Sequence, residues 1–360
     1  MPPIRLLVVD DSVVVRKVIC EALGSEPAIE VVGTAASGAI ALAKIPLLNP
    51  DVITLDIEMP GLNGLETLAE IRKLYPKVRV IMFSTLTERG ATVTLEALAL
   101  GASDYLTKPS NTGSMAAARD QVRQELVAKI LCLVSWQVRS VPRPVISPVH
   151  RRPTGQQIDI VAIGTSTGGP NALAEVIPRL PNDFPVPVVV VQHMPPLFTR
   201  LLAERLSSRS TLLVHEGQAG KTLEPGHAWI APGDYHMTVA KKGTGVVLNL
   251  NQEPPENSCR PAVDVLFRSV AQIYGPTVLG VVMTGMGSDG ARGALHIREA
   301  GGEIVVQDEA SSVVWGMPGA VVSAGVADMI CPLQEISQEI VRRVASSRAR
   351  ATGVHAAQTV

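Results

Sequence analysis

From Ile4 to about Val134, short runs of aliphatic and β-branched residues alternate with longer stretches in which apolar positions recur every three or four residues. IRLLVVD, IEVVGT, DVITLD, VRVIMFS and SDYLTK read as strands; VVVRKVICEAL, AIALAKI, LETLAEIRKL and ATVTLEALALG read as amphipathic helices, and a final helix follows. The pattern predicts five βα units. Each right-handed crossover lays its helix against the sheet, so the expected fold is a doubly wound, five-stranded parallel sheet with helices on both faces. Ligands of such a sheet bind at the carboxyl ends of its strands.

Over residues 135–157 the periodicity stops, and Pro142, Pro144, Pro148 and Pro153 interleave with Arg139, Arg143, Arg151 and Arg152 without an acidic residue. This reads as an extended, semi-rigid linker. A second βα series starts at Ile158 with IDIVAIG, continues through VPVVVVQ and LLVHE, and resumes later with AVDVLFRSVAQIY, TVLGVVMT and EIVVQ. Between about His227 and Leu250, HAWIAPGD, YHMTVA and GVVLNL interrupt it with strands separated by Gly and Lys turns. The expectation is an α/β domain over 158–346, with a mostly parallel, Rossmann-like sheet, an antiparallel β insertion and a last helix near Glu335 to Ser346. The tail, 347–360, is expected to be disordered.

A length of 360 residues agrees with two domains, and 46% apolar against 18% charged residues places both among folded globular proteins. The net charge of −1 leaves no general field for polyanions, and 3% aromatic residues leave few stacking platforms. With no basic helix-turn-helix pattern either, nucleic acid is not an expected partner. Cys20, Cys132, Cys259 and Cys331 lie far apart without C-x-x-C spacing, which disfavours zinc and fits a reducing cytoplasm. No charged leader with an apolar run and no stretch near eighteen apolar residues is present, so neither secretion nor membrane insertion is expected.

In the first domain Asp10 and Asp11 follow the first strand and Asp56 ends the third, which brings three carboxylates to one sheet edge. Like charges there call for a cation, and oxygen-only ligation in an open site suits Mg²⁺. Lys108, in T-K-P after the fifth strand, supplies a second positive partner, and Ser84 at the end of the fourth offers a hydroxyl. This constellation resembles a response-regulator receiver domain. The resemblance implies that Asp56 is phosphorylated by a histidine kinase, that Asp10, Asp11, Asp56 and the Glu58 carbonyl hold Mg²⁺, that Ser84 and Lys108 read the phosphate, and that Tyr105 is the aromatic switch.

In the second domain, Gly164-Thr165-Ser166-Thr167-Gly168-Gly169 stands between a strand and a helix and fits G-x-S-x-G, an elbow that exposes a serine hydroxyl beside a helix N-terminus. Such a loop can equally cradle a phosphate. A serine nucleophile needs a base, and His193 follows the next strand in Q-H-M-P. Asp289, in TGMGSDG after TVLGVVM, is the corresponding orienting acid. The order Ser, His, Asp differs from that of the α/β-hydrolases, so that family cannot be imported from the elbow alone. Cys259 is a rival nucleophile without a sequence-adjacent base. Gly285 to Gly290 also matches G-x-G-x-x-G, with Asp308 near the acidic position of a dinucleotide fingerprint, but Asp289 would set a carboxylate against the pyrophosphate.

GTSTGGP, QHMP, IAPGDYHM, SCRPAVDVLFRS, VMTGMGSDGA and VVWGMPGAV together resemble the catalytic domain of the chemotaxis protein-glutamate methylesterases, the CheB family. That resemblance implies Ser166 as nucleophile, His193 as base, Asp289 as its orienter, and backbone N–H groups near Thr167 and Met286 as oxyanion donors. It also implies a glutamate γ-methyl ester on the cytoplasmic domain of a chemoreceptor (a methyl-accepting chemotaxis protein) as substrate, deamidation of receptor glutamines, no cofactor for hydrolysis, and control by Asp56 phosphorylation. The alternative is a receiver-controlled interaction module without catalysis, which mutation of Ser166 would leave intact.

Overall fold

A computed structural model describes residues 2–108, 115–135 and 157–357. The chain divides into two compact units, Met1–Ser140 and Val141–Val360. Of the expected linker, 136–156 lie outside the described residues. Among the described residues no helix is long and apolar enough to cross a membrane.

The first unit has strands β1 (Ile4–Val9), β2 (Ile29–Ala35), β3 (Val52–Asp56), β4 (Arg79–Ser84) and β5 (Asp104–Thr107), and helices α1 (Val13–Leu23), α2 (Gly38–Leu48), α3 (Gly64–Leu74), α4 (Glu88–Ala99) and α5 (Met115–Ser135). The strands are all parallel in the order β2-β1-β3-β4-β5. β3 and nearly all of β1 are fully buried, as expected of strands covered on both faces. α1 packs against α5, while α2, α3 and α4 pack in succession, so the helices divide between the faces. Because the chain leaves β1 toward β2 and returns to β3 on the other side, Asp10 and Asp56 meet at the switch point. The turn after β3 is closed by Asn63, whose side chain accepts from Glu66 N–H while Glu66 caps Asn63 N–H in return.

The second unit contains β6 (Ile160–Thr165), α6 (Gly169–Val176), β7 (Val188–Gln192), α7 (Phe198–Ser207), β8 (Leu213–Glu216), β9 (His227–Ile230), β10 (His236–Lys242), β11 (Gly245–Asn251), α8 (Val263–Tyr274), β12 (Val278–Val282), α9 (Ala291–Glu299), β13 (Glu303–Gln307), α10 (Gly316–Ser323), β14 (Met329–Cys331) and α11 (Leu333–Ala357). Seven strands form one parallel sheet in the order β14-β13-β12-β6-β7-β9-β8. The antiparallel insertion is only the hairpin β10–β11, which packs on α8. β9 is no part of it: three of its four residues are buried, and it slots in parallel between β7 and β8.

The last helix corrects the expected boundary at 346. α11 runs on to Ala357, and the fully buried Ser347 accepts a hydrogen bond from the Ile158 N–H at 2.9 Å while donating to Val344 O at 2.8 Å. Apolar periodicity ends near Val344, and a serine that satisfies a buried amide just ahead of β6 carries no apolar signal, so the sequence pattern reads as tail from here. Residues 358–360 lie outside the described residues.

Candidate functional site

In the first unit, Asp10, Asp11 and Asp56 present carboxylate oxygens within 4.8 Å of one another. Lys108 Nζ stands 2.8 Å from Asp56 Oδ1 and 3.1 Å from Asp10 Oδ2. The Ser12 N–H donates to Asp10 Oδ1 at 2.8 Å and the Glu58 N–H to Asp56 Oδ1 at 3.2 Å, which sets the Glu58 peptide beside the cluster. Asp56 Oδ2 is buried without a hydrogen-bond partner. Burial, reinforced by Asp10 and opposed by Lys108, pushes the Asp56 carboxyl up to about 6. Burial works against the Lys108 charge, but Asp56 and Asp10 outweigh it and raise its pKa. Asp11, Glu58, Met59, Asn63 and Arg89 line an adjoining cavity of about 570 Å³. The orphaned oxygen and the all-oxygen donor set fit a hard divalent cation such as Mg²⁺.

Ser84, at the end of β4, donates its hydroxyl to Gly90 O at 3.1 Å and Thr85 O at 3.2 Å, next to the cluster but engaged with the start of α4. Tyr105 is buried on β5 with Lys129 Nζ 5.7 Å from its ring centroid. Burial, then Asp104 and Glu125, holds its hydroxyl well above the ordinary phenol range.

In the second unit, Ser166, His193 and Asp289 follow the adjacent strands β6, β7 and β12. Ser166 is set by its N–H on Thr284 O at 3.0 Å and by its own carbonyl, which accepts from Gly169 N–H at 2.8 Å and Gln192 Nε2 at 3.0 Å. The turn into α6 needs Gly168 at φ +78°, and a Cβ on Gly285 would lie 2.9 Å from the Ser166 Cβ and 2.3 Å from Met317 Sδ. The Met286 N–H has no hydrogen-bond partner among the described residues, whereas the Thr167 carbonyl accepts from Thr284 Oγ1 at 2.9 Å.

His193 Nε2 lies 2.7 Å from Asp289 Oδ2. Burial lowers the imidazole pKa, but the Asp289 hydrogen bond and then Cys259 outweigh it, and the net value is about 9. Burial raises the Asp289 carboxyl, yet His193 and the backbone N–H groups of Val263 and Asp264 bring it below the usual range. Those amides open α8 and reach Asp289 at 2.6 and 3.0 Å, so the positive helix end helps hold the anion. Asp289 thus holds Nε2, and Nδ1 is the ring nitrogen turned away from the carboxylate.

Two features escaped the sequence reading. Cys259 Sγ lies 3.5 Å from His193 Nδ1, so tertiary structure supplies the neighbouring base that the local sequence lacks. Asn257 Nδ2 donates to Asp289 Oδ1 at 2.8 Å across 32 positions of sequence, a contact no motif spacing announces. The Gly285–Gly290 loop, which matches a dinucleotide fingerprint, carries the Asp289 carboxylate on the amides of α8 and of Gly290 instead. Asp308 is turned to Ser311, whose N–H and hydroxyl it accepts.

A model described as CheB methylesterase matches residues 161–340, and one described as response regulator receiver domain matches 6–119. The protein-glutamate methylesterase/protein-glutamine glutaminase of Trichodesmium erythraeum is 53% identical over 351 residues, spanning 96% of this chain and 100% of that protein. Its namesake from a Nocardioides species is 50% identical over 364 residues, 97% of each. The crystal structure of the Thermotoga maritima CheB methylesterase catalytic domain superposes with a TM-score of 0.51 at 43% identity, covering 51% of this chain and 98% of that one. Similarity at this level over nearly the whole length means that the chain belongs to the CheB methylesterase family, in the form that carries a response-regulator receiver domain ahead of the catalytic domain.

Proposed function

We propose that this protein is a phosphorylation-controlled protein-glutamate methylesterase. It hydrolyses glutamate γ-methyl esters on the cytoplasmic domains of chemoreceptors to glutamate and methanol, and deamidates receptor glutamines by the same route. What supports the reading is that Ser166, His193 and Asp289 follow three adjacent strands of one parallel sheet, with His193 Nε2 2.7 Å from Asp289 Oδ2.

Ser166 attacks the ester carbonyl, neutral His193 takes its proton through Nδ1, and the imidazolium is stabilised by Asp289. His193 returns the proton to the departing methanol, or to ammonia in deamidation, and then activates the water that releases Ser166. The backbone N–H groups of Thr167 and Met286 serve the oxyanion.

In the receiver, Asp56 accepts a phosphoryl group from a histidine kinase. Mg²⁺, held by Asp10, Asp11, Asp56 and the Glu58 carbonyl, would neutralise charge on the incoming phosphoryl oxygens. Lys108 pairs with the phosphoryl oxygens, Ser84 gives up Gly90 O to hydrogen-bond one of them, and Tyr105 responds to that rearrangement. A cytoplasmic location follows from these partners.

The test is methanol release from methylated chemoreceptor membranes by the intact protein and by Ser166→Ala, with Mg²⁺ and a small-molecule phosphodonor. Release lost in the variant supports the reading; equal release from both removes Ser166 as nucleophile.

A further inference from the structure

Asp289 receives more hydrogen bonds than the orientation of one histidine requires. Oδ2 accepts from His193 Nε2 and from the Val263 N–H at 2.6 Å. Oδ1 accepts from the N–H groups of Asp264 and Gly290, each at 3.0 Å, and from Asn257 Nδ2 at 2.8 Å. Apart from His193, Asn257 is the only side chain in this set among the described residues.

Its surroundings define which way the amide points. Asn257 Nδ2 also donates to Asp264 Oδ2 at 2.9 Å, and Asn257 Oδ1 accepts from Arg292 Nη2 at 3.1 Å. A flipped amide would set an oxygen against two carboxylates and an NH₂ against a guanidinium, so the donor must face Asp289. The backbone is equally specific. Asn257 and Ser258 take φ of +53° and +62° at the centre of a tight turn, closed by Glu256 N–H to Cys259 O at 3.1 Å and Cys259 N–H to Glu256 O at 2.9 Å. Two successive positive φ values make a turn in which Asn is among the few side chains tolerated. Glu256 is tied in turn to Arg268 at 2.6 and 2.7 Å and to Arg292 at 3.0 Å, which anchors the turn to α8 and α9.

We propose that Asn257 is a positioning residue of the esterase: its amide fixes the Asp289 carboxylate and, by sharing that negative charge, restrains the basicity of His193. This rests on the Ser166–His193–Asp289 reading above. Every donor on Asp289 competes with His193 for the same anion. Removing one leaves more charge to stabilise the imidazolium, so the His193 pKa rises and less of the ring is neutral at working pH. The other charged or titratable groups around the pair are Cys259 and Glu256 on the turn, Asp264 and Arg268 on α8, and Arg292 on α9. A change confined to the Asn257 side chain removes no charge from this set, although Asp264 and Arg292 each lose their hydrogen bond to the amide.

Asn257→Gly keeps the turn, because glycine adopts a positive φ freely and only the side-chain amide is lost. In the intact protein, the His193 imidazole titration is followed by NMR, and methanol release from methylated receptor membranes is followed against pH. The expected result is a His193 titration moved up by about half to one pH unit, with kcat at pH 7 reduced about three- to ten-fold, KM within two-fold, and a deficit that closes at higher pH. Asn257→Asp also tolerates the turn but sets a third carboxylate beside Asp289 and Asp264, so it should lose more and move the titration further. An unmoved His193 titration in Asn257→Gly overturns the proposal. So does a rate loss of the same size at every pH, which would mark a merely structural role. Methanol release that survives Ser166→Ala would instead remove Ser166 as the nucleophile, leaving the NMR titration to judge Asn257 independently.

Discussion

Replacing Asp56 by asparagine should make the receiver more stable. Asp56 is 1% exposed, and this burial, with a smaller like-charge contribution from Asp10, outweighs the Lys108 contact that favours the anion. A carboxyl whose pKa rises from 3.8 to about 6 on folding opposes folding wherever it must be ionised. The opposition is absent below the unfolded value, grows between the two, and is complete above about pH 6. At pH 7.5 it amounts to about 3 kcal/mol, or nearer 2 after allowing for screening at the rim of the adjoining cavity. At pH 4.5 the same linkage leaves about 1 kcal/mol. A neutral amide in that place carries no such charge, so Asp56→Asn should raise the receiver transition by roughly 10 °C at pH 7.5 without Mg²⁺. The gain should shrink on acidification, and also on adding Mg²⁺, which offsets the charge in the wild-type protein. Calorimetry of the intact protein can follow this, taking as the receiver transition the one that Mg²⁺ shifts. A variant that melts lower, or a gain unchanged between pH 7.5 and 4.5, would refute the reasoning.

Other consequences concern the esterase unit. Ser166→Ala should lower methanol release by at least about a thousand-fold while leaving the unfolding transition in place. With His193 held up to about 9, the rate should climb between pH 7 and 9 as the ring becomes neutral; a profile flat across that range would contradict a His193 base. The same raised pKa contributes stability that is complete below pH 6.5 and lost as pH rises through about 9, a decline that His193→Gln should abolish in unfolding experiments. Gly285→Ala should cut activity about a hundred-fold, since its methyl group would push Ser166 out of place; normal turnover would show that the loop can yield. Methylthiolation of Cys259, 3.5 Å from His193 Nδ1, should inhibit reversibly by dithiothreitol, and Cys259→Ala should be insensitive to the reagent.

Strand-end chemistry was legible in the amino-acid order because parallel βα units deliver the residue after each strand to a common edge. Asp56, Lys108, Ser166 and His193 stand at or one residue after the ends of strands whose apolar runs are unambiguous, and Asp289 lies in the loop between β12 and α9, so the edge they share follows from local pattern plus the handedness of the crossovers. Shorter or less periodic elements were not legible. β14 has three residues and α10 reads GMPGAVVS, where Gly and Pro contradict helical propensity and packing decides. β9 reads as part of an insertion until its pairing partners β7 and β8 are known.

Local sequence pattern therefore carries the division into a receiver and a catalytic α/β unit, the sheet type of each, and the candidate nucleophile, base, acids and lysine. Only the packed fold decides which His193 nitrogen faces Asp289, that Cys259 Sγ meets the other nitrogen, that Asn257 grips Asp289 Oδ1, and that Ser347 accepts from the buried Ile158 amide ahead of β6. The physical reason is the range of the interactions. Hydrophobic periodicity is written over neighbouring residues, whereas a hydrogen bond between positions 32, 66 or 189 apart depends on where two finished elements come to rest.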